Sequence, residues 1–248
     1  MSFRPRRAMV LAAGLGERMR PLTETLPKPL VPVGGRTLLD RVLDRLESFG
    51  VERVVVNLHF HRGALEAHLA RRAAPPIALA PEPELLDTGG AIAAALPRLG
   101  PSPFFVASAD VLWLDGGTPT LERVARAWRG EEMDALLLLQ SCATARGYDG
   151  PGDYFLDPAG RAKRRGGALI ATHVYGGVAI LAPAAFADAP PAPFPLRRIF
   201  EDAEARGRLW GVAHDGLWFH VGTPDSVLET EIALDLRPRP TPAAERLG

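Results

Sequence analysis

The 248-residue chain contains one cysteine, Cys142, which excludes a disulfide within the chain and any cysteine-based zinc site. A lone thiol carries no role here and suits a reducing compartment, so a cytoplasmic location is expected. Net charge is also missing, because 29 basic residues balance 29 acidic ones. Without a basic footprint or a block of like charges, nucleic acid is not an expected partner. No uncharged apolar run reaches the length of a membrane span. Arg4, Arg6 and Arg7 precede a short apolar run as they would in a secretory signal, but Glu17 and Arg18 cut that run short. No membrane partner is expected either, and small, locally recognised ligands remain. The chain is poor in lysine as well: Lys28 and Lys163 stand against 27 arginines. An ammonium is a compact point charge that can sit against one phosphate oxygen where a planar guanidinium does not fit, which singles out Lys28.

What the chain does have is a phosphate loop. Ala8 to Ala13 is an uncharged apolar run of the kind that forms a buried parallel strand, and Gly14 and Gly16 break it. Arg18 and Arg20 follow, and Lys28 lies between Pro27 and Pro29. Bare amides and three cations on one loop suit a nucleoside triphosphate. Two better-known phosphate loops are excluded. The third glycine of a dinucleotide fingerprint falls at Met19, and the Gly-Lys-Ser/Thr end of a P-loop is replaced by Lys28-Pro29-Leu30.

The rest reads as alternating strands and helices. Thr37 caps a helix that carries Leu39, Val42, Leu43, Leu46 and Phe49 on one face up to Gly50. Strands are predicted over 51–57, 77–80, 104–108, 134–140, 174–181, 207–213 and 218–221. Helices are predicted over 62–72, 90–96, 120–128, 195–206 and 224–236. Such alternation implies parallel strands with right-handed crossovers, and the strand ending at Ser108 delivers Asp110 to the edge where ligands bind. The glycine-rich stretch 141–171 predicts hairpins inserted over the site. The domain is expected to span 1–236, with a Pro-rich tail over 237–248.

The run LAAGLGERMRPLT with PKPLVPVGGRTLL resembles the signature of the sugar-1-phosphate nucleotidylyltransferases, and the likeness continues at Leu86-Asp87-Thr88-Gly89-Gly90, at Asp110 and at residues 218–224. It implies a single Rossmann-like three-layer α/β domain with a mixed, mainly parallel sheet. Within the family the chain is most similar to enzymes acting on N-acetylmuramate-1-phosphate with UTP, and to guanylyltransferases of mannose- or heptose-1-phosphate. The implied reaction joins a nucleoside triphosphate to a sugar-1-phosphate with release of pyrophosphate. A non-catalytic nucleotide-sugar sensor is the rival class, and the broken glycine fingerprint disfavours an NAD-dependent oxidoreductase.

The resemblance also implies site residues. Arg18 falls on the leaving pyrophosphate, Lys28 near the transferred phosphate, and Asp110 on a Mg²⁺ ion. Ala12, Ala13, Gly14, Leu15 and Gly16 fall on the nucleotide, with Glu82, Thr88, Gly89 and Gly90 beside the base. A helix N-terminus capped by Thr88 is the plainer reading of that last segment. Asp153, Lys163, Arg164 and Gly177 fall on the sugar phosphate. Trp113 and Tyr175 are candidates for stacking, though aromatic residues at strand ends more often belong to the core. The family's second metal aspartate is replaced by His220, expected to be a protonated donor to a phosphate oxygen. The other histidines show no metal-ligand spacing. A monomer or weak dimer is expected.

Overall fold

The computed structural model describes residues 3–235, so the tail expected over 237–248 lies outside the described residues. In chain order the first half comprises β1 (Arg7–Leu11), β2 (Pro32–Val33), β3 (Arg36–Thr37), α1 (Leu38–Phe49), β4 (Arg53–Leu58), α2 (Arg62–Leu69), β5 (Ile77–Pro81) and α3 (Asp87–Leu99). There follow β6 (Phe104–Ser108), β7 (Val111–Leu114), α4 (Thr120–Ala127), β8 (Ala135–Ser141), β9 (Tyr154–Leu156) and β10 (Ala162–Arg164). The chain continues through β11 (His173–Leu181), α5 (Leu196–Ala205), β12 (Leu209–Ala213), β13 (Leu217–His220) and α6 (Pro224–Asp235).

The main sheet runs β10-β9-β11-β6-β1-β4-β5, and β8 pairs with both β11 and β12. β1, β4, β5 and β6 are parallel, β8 and β12 are parallel, and β11 is antiparallel to β6 and β8. The mixed, mainly parallel sheet of the sequence reading is present. Alternate residues of β1 and β4 face opposite layers: Val10 and Val56 meet α1, α2 and α4, while Met9 and Val55 meet α3 and α5. The crossover from β1 to β4 therefore uses one face and that from β5 to β6 the other. The point where the direction reverses, between β1 and β6, is where open α/β sheets leave a crevice.

The helix expected to end at Gly50 does so, and Thr37 Oγ1 accepts the Asp40 N–H at 3.0 Å as its cap. The hairpin β9–β10 extends the edge of the main sheet beside β11, where its Tyr154 and Arg164 line a cavity that adjoins the ends of β1 and β6. β7 was not anticipated; it pairs with β13 in a separate ribbon that packs with α6 around Met19, Val31, Leu112 and Val221.

The start of α3 sits three residues earlier than the sequence pattern predicts, because it is docked under a distant loop. The Gly89 and Gly90 N–H groups donate to the Phe194 carbonyl at 2.9 and 3.1 Å. A Cβ on Gly89 would lie 2.4 Å from the Phe194 ring, and one on Gly90 2.8 Å from the Ala192 methyl. These glycines permit helix and loop to touch. Gly89→Ala is expected to cost about 1–3 kcal/mol through overpacking, a fall of several degrees in a thermal melt. A variant melting within a degree of the parent would mean that the ring simply moves aside.

Candidate active site

The parallel pairing of β1 with β6 places Leu11 opposite Ser108, and the Ala109 N–H donates to the Leu11 carbonyl at 3.0 Å. The two loops leaving these strands therefore run side by side. Lys28 returns to the same edge from a 3-10 turn, Lys28–Leu30, whose entry is fixed by Pro27 and Pro29. Its ammonium lies 3.0 Å from Asp110 Oδ2. The lysine stem is buried while the aspartate side chain keeps 39% of its exposure, so the second carboxylate oxygen is open to a ligand. Gly16, at φ 65°, brings the phosphate loop onto that stem; a Cβ there would lie 3.1 Å from Lys28 Cβ.

A cavity of about 220 Å³ opens beside this pair. Ala12, Ala13, Gly14, Lys28, Glu82, Thr88 and Asp110, all expected at the site, line it together with Asn57, Leu85 and Asp87. The free donors are not quite those expected. The Ala12 N–H is taken by Asn57 Oδ1 at 2.8 Å, whereas the N–H groups of Ala13, Gly14 and Leu15 have no protein partner among the described residues. Leu15 and Arg18 are exposed on the same loop, and Arg18 has no ion pair among the described residues. Thr88 does not cap its helix: its hydroxyl accepts the Leu196 N–H at 2.8 Å, tying α3 to the start of α5. Gly89 and Gly90 are likewise corrected, since their N–H groups serve the Phe194 carbonyl and are not free to read a base.

A second cavity, about 310 Å³, shares Leu11, Thr88 and Ser108 with the first. Asp153, Tyr154, Arg164, Tyr175, Leu196, Arg197 and Phe200 line it. Asp153 fastens β11, accepting the Tyr175 N–H at 2.9 Å. Arg164 pairs with Glu201 of α5. The Tyr175 hydroxyl is buried without a partner among the described residues, and burial pushes its pKa up, keeping it a neutral donor. Two expected residues do not belong here. Lys163 alternates to the other side of β10, is exposed, and lines a separate groove with Glu204 and Leu209. Gly177, at φ 77° in the irregular part of β11, is packed against Val111, 2.8 Å from where its Cβ would stand. Trp113 belongs to the core.

His220 ends β13 opposite Val111, next to Asp110 in sequence. Its ring stacks over Trp218 at 6.1 Å between centroids, and Gly222 leaves it room: a Cβ there would be 2.6 Å from Nε2. Burial lowers the imidazole pKa below its usual value; Asp110 opposes this, and Lys28 and Arg18 add to it. The expected cationic donor is thus corrected to a neutral imidazole in the free protein. Among the described residues no three His, Cys, Asp or Glu side chains cluster as a metal cage. One open carboxylate beside a phosphate loop still fits Mg²⁺, which commonly takes one or two carboxylates and completes its shell with phosphate oxygens and water. Among the described residues no helix is long and apolar enough to cross a membrane.

Sequence reasoning missed Asn57. The one available signal was an amide in a β-branched run, which reads as an ordinary strand end.

Known proteins are similar to this chain in sequence and in fold. An N-acetylmuramate alpha-1-phosphate uridylyltransferase from Caulobacter vibrioides is 44% identical over 94% of this chain and 99% of its own length. One from Neisseria meningitidis serogroup B is 34% identical, covering 88% of this chain and 93% of its own. A UTP-bound UGPase structure from Acinetobacter baumannii superposes with a TM-score of 0.78 at 18% identity, over 95% of each chain, and shares the fold. The MobA-like NTP transferase domain matches residues 8–147, the part that carries the phosphate loop, Lys28, Asn57, Glu82 and Asp110, and the chain belongs to that family of nucleotidyltransferases.

Proposed function

We propose that the protein transfers the uridylyl group of UTP to N-acetylmuramate-1-phosphate, giving the UDP-sugar and pyrophosphate. The observation that carries this reading is the two-lobed cleft, with one lobe beside the phosphate loop and the other, lined by Arg164 and aromatic residues, meeting it at Leu11, Thr88 and Ser108. The full-length likeness to uridylyltransferases favours this pair of substrates over guanylyl transfer to mannose- or heptose-1-phosphate. We assign the reaction to the cytoplasm, where nucleoside triphosphates are made, and to a monomer or weak dimer.

Both reactants are anions, so the protein's task is to bind, neutralise and align. An oxygen of the acceptor phosphate attacks the α-phosphorus while the bond from that phosphorus to the bridging oxygen of pyrophosphate breaks. The free amides of Ala13, Gly14 and Leu15 receive the triphosphate. Arg18 offsets the charge growing on the leaving pyrophosphate. Lys28, fixed by its prolines, sits against the transferred phosphate. Asp110 would hold Mg²⁺, and the ion when bound would supply further neutralisation of phosphate charge. The neutral imidazole of His220 offers one N–H to a phosphate oxygen.

A panel of the four nucleoside triphosphates against several sugar-1-phosphates, followed by pyrophosphate release, tests the reading. UTP with N-acetylmuramate-1-phosphate is expected to be the best pair. Turnover of none would favour the sensor, and a best pair of GTP with a hexose- or heptose-1-phosphate would replace the assignment.

Three substitutions and one control probe the residues. Asp110→Asn is expected to lower kcat by roughly 100-fold or more, given the several kcal/mol that a metal contributes, with the melting temperature near the parent's. Turnover within a few-fold of the parent would refute the metal assignment. Lys28→Arg should cost on the order of 100-fold in kcat/KM, since a larger head on a fixed, buried stem displaces the phosphate. Arg20→Lys, on the exposed part of the loop, is the control, and equal mild losses in both would reduce Lys28 to a bystander. His220→Asp adds an oxygen ligand and should lower the Mg²⁺ concentration for half-maximal rate several-fold; an unchanged requirement would put residue 220 out of the ion's reach.

A further inference from the structure

Outside the cleft, a cavity of about 290 Å³ lies between α1 and β7, lined by Gly34, Arg36, Arg41, Asp44, Arg45 and Trp113 among others. It shares no lining residue with either lobe of the cleft. Its unpartnered groups are donors. Arg41 Nε and Trp113 Nε1 are both buried without a partner among the described residues, and Trp113 is only 4% exposed. A third donor is the Trp113 backbone N–H. In the β7–β13 pair Trp113 stands opposite Trp218, whose carbonyl turns away to accept the Arg146 N–H, so this pair is not hydrogen-bonded and the Trp113 main-chain groups point outward. The Trp113 carbonyl accepts from Arg45 at 3.5 Å, while its N–H has no protein partner among the described residues. Charge points the same way. Arg36 holds Asp44 through two hydrogen bonds of 2.8 and 2.9 Å, and Arg45 pairs with Asp115, but Arg41 has no ion pair among the described residues. Asp44 is also shared with Arg72, at 2.6 Å. Burial, with Arg36 and Arg45 nearby, lowers the Arg41 pKa from its usual value. Donors buried without acceptors are costly, and a cluster of them calls for an ion or solvent.

We infer that this cavity is a second anion site, separate from the cleft, which takes the phosphate group of a small phosphorylated molecule between α1 and β7. A tetrahedral phosphate offers acceptor oxygens in several directions, so it can meet donors that come from a guanidinium, an indole and the main chain at once. The cavity has room for more than the phosphate itself, since one water takes only about 30 Å³ in the liquid. Its position gives the occupant a hold on the cleft. β7 begins one residue after Asp110, and its Val111 stands opposite His220 on β13. An anion that draws Arg41 and Trp113 together therefore braces the ribbon that presents both cleft residues. The site requires no assumption about which nucleotide or sugar the cleft takes.

The orphan indole is itself the probe. The chain has four tryptophans, so a ¹H–¹⁵N correlation spectrum shows few indole peaks, and the one missing in Trp113→Phe is the one to follow. Inorganic phosphate added to the parent at constant ionic strength should move that peak downfield along a saturable curve. Arg41→Gln should raise the half-saturating phosphate concentration at least about tenfold, the loss of one charge-assisted hydrogen bond. Lys28→Arg alters only the cleft and should leave that concentration within about twofold of the parent's. A peak that stays in place, or that follows chloride as it follows phosphate, means that water meets these donors and overturns the proposal. A response lost in Lys28→Arg and kept in Arg41→Gln belongs to the cleft and overturns it as well. A saturable response to acetate with none to phosphate rejects the phosphate class. Should Arg41→Gln not fold, the parent and Lys28→Arg titrations decide: a saturable shift kept in Lys28→Arg supports the second site, and one lost there removes it.

Discussion

The contact between Lys28 and Asp110 is the constraint on which the cleft depends. A site that joins two anions needs a cation against phosphate and a carboxylate against a divalent ion, and it needs them within a few ångströms of each other. Left alone, either group is costly at this depth: an ammonium on a buried stem, or a carboxylate near apolar strand ends, wants a partner. At 3.0 Å each is the other's partner in the free protein, and the exposed half of the carboxylate remains for a ligand. In the free protein the pair thus satisfies both charges while leaving one side of the carboxylate accessible.

That contact joins residues 82 positions apart, and nothing local enforces it. It follows from the parallel register of β1 with β6, which sets Leu11 beside Ser108, and from the two prolines that return Lys28 to the edge. The helices then close the cleft from opposite layers, α1 on one face of the sheet and α3 against β1 and β4 on the other, because the crossovers from β1 to β4 and from β5 to β6 take opposite faces. The crevice is a consequence of sheet topology, and the loop chemistry of residues 12–16 becomes a site only because topology leaves that crevice open.

What the sequence made legible was therefore local. The apolar run into Gly14, the cap at Thr37 and the strand delivering Asp110 each depend on a few consecutive residues, and each is present in the structure. What it concealed depends on partners far along the chain. Gly89 and Gly90 look like a turn that reads a ligand, yet they are small because the Phe194 ring must pack on the first and Ala192 on the second, both more than a hundred residues later. Lys163 and Arg164 are one basic run in the sequence, and only the register of β10 against β9 sends one to the cleft and the other away from it. Asn57 has its partners 45 residues back and 25 ahead, so no window of reasonable width contains its role. His220 was visible as a departure from the family pattern, but its charge state depends on burial and on Lys28 and Arg18, which the pattern cannot supply.

A chain with no net charge still presents positive charge to its substrates, and the distribution of ion pairs explains how. Away from the cleft many arginines are matched to carboxylates: Arg4 to Glu122, Arg36 to Asp44, Arg72 to Asp40, Asp44 and Glu47, and Arg206 and Arg208 to Asp134. Several of these are exposed pairs that add little stability. Their effect is to cancel field over the outer surface. On the phosphate loop Arg18 and Arg20 have no such partner among the described residues, and the one carboxylate beside Lys28 is the one suited to hold a cation of its own. Positive potential is concentrated by local omission of partners, where low-dielectric walls focus it. The zero balance that argues against nucleic acid is thereby compatible with tight recognition of a triphosphate.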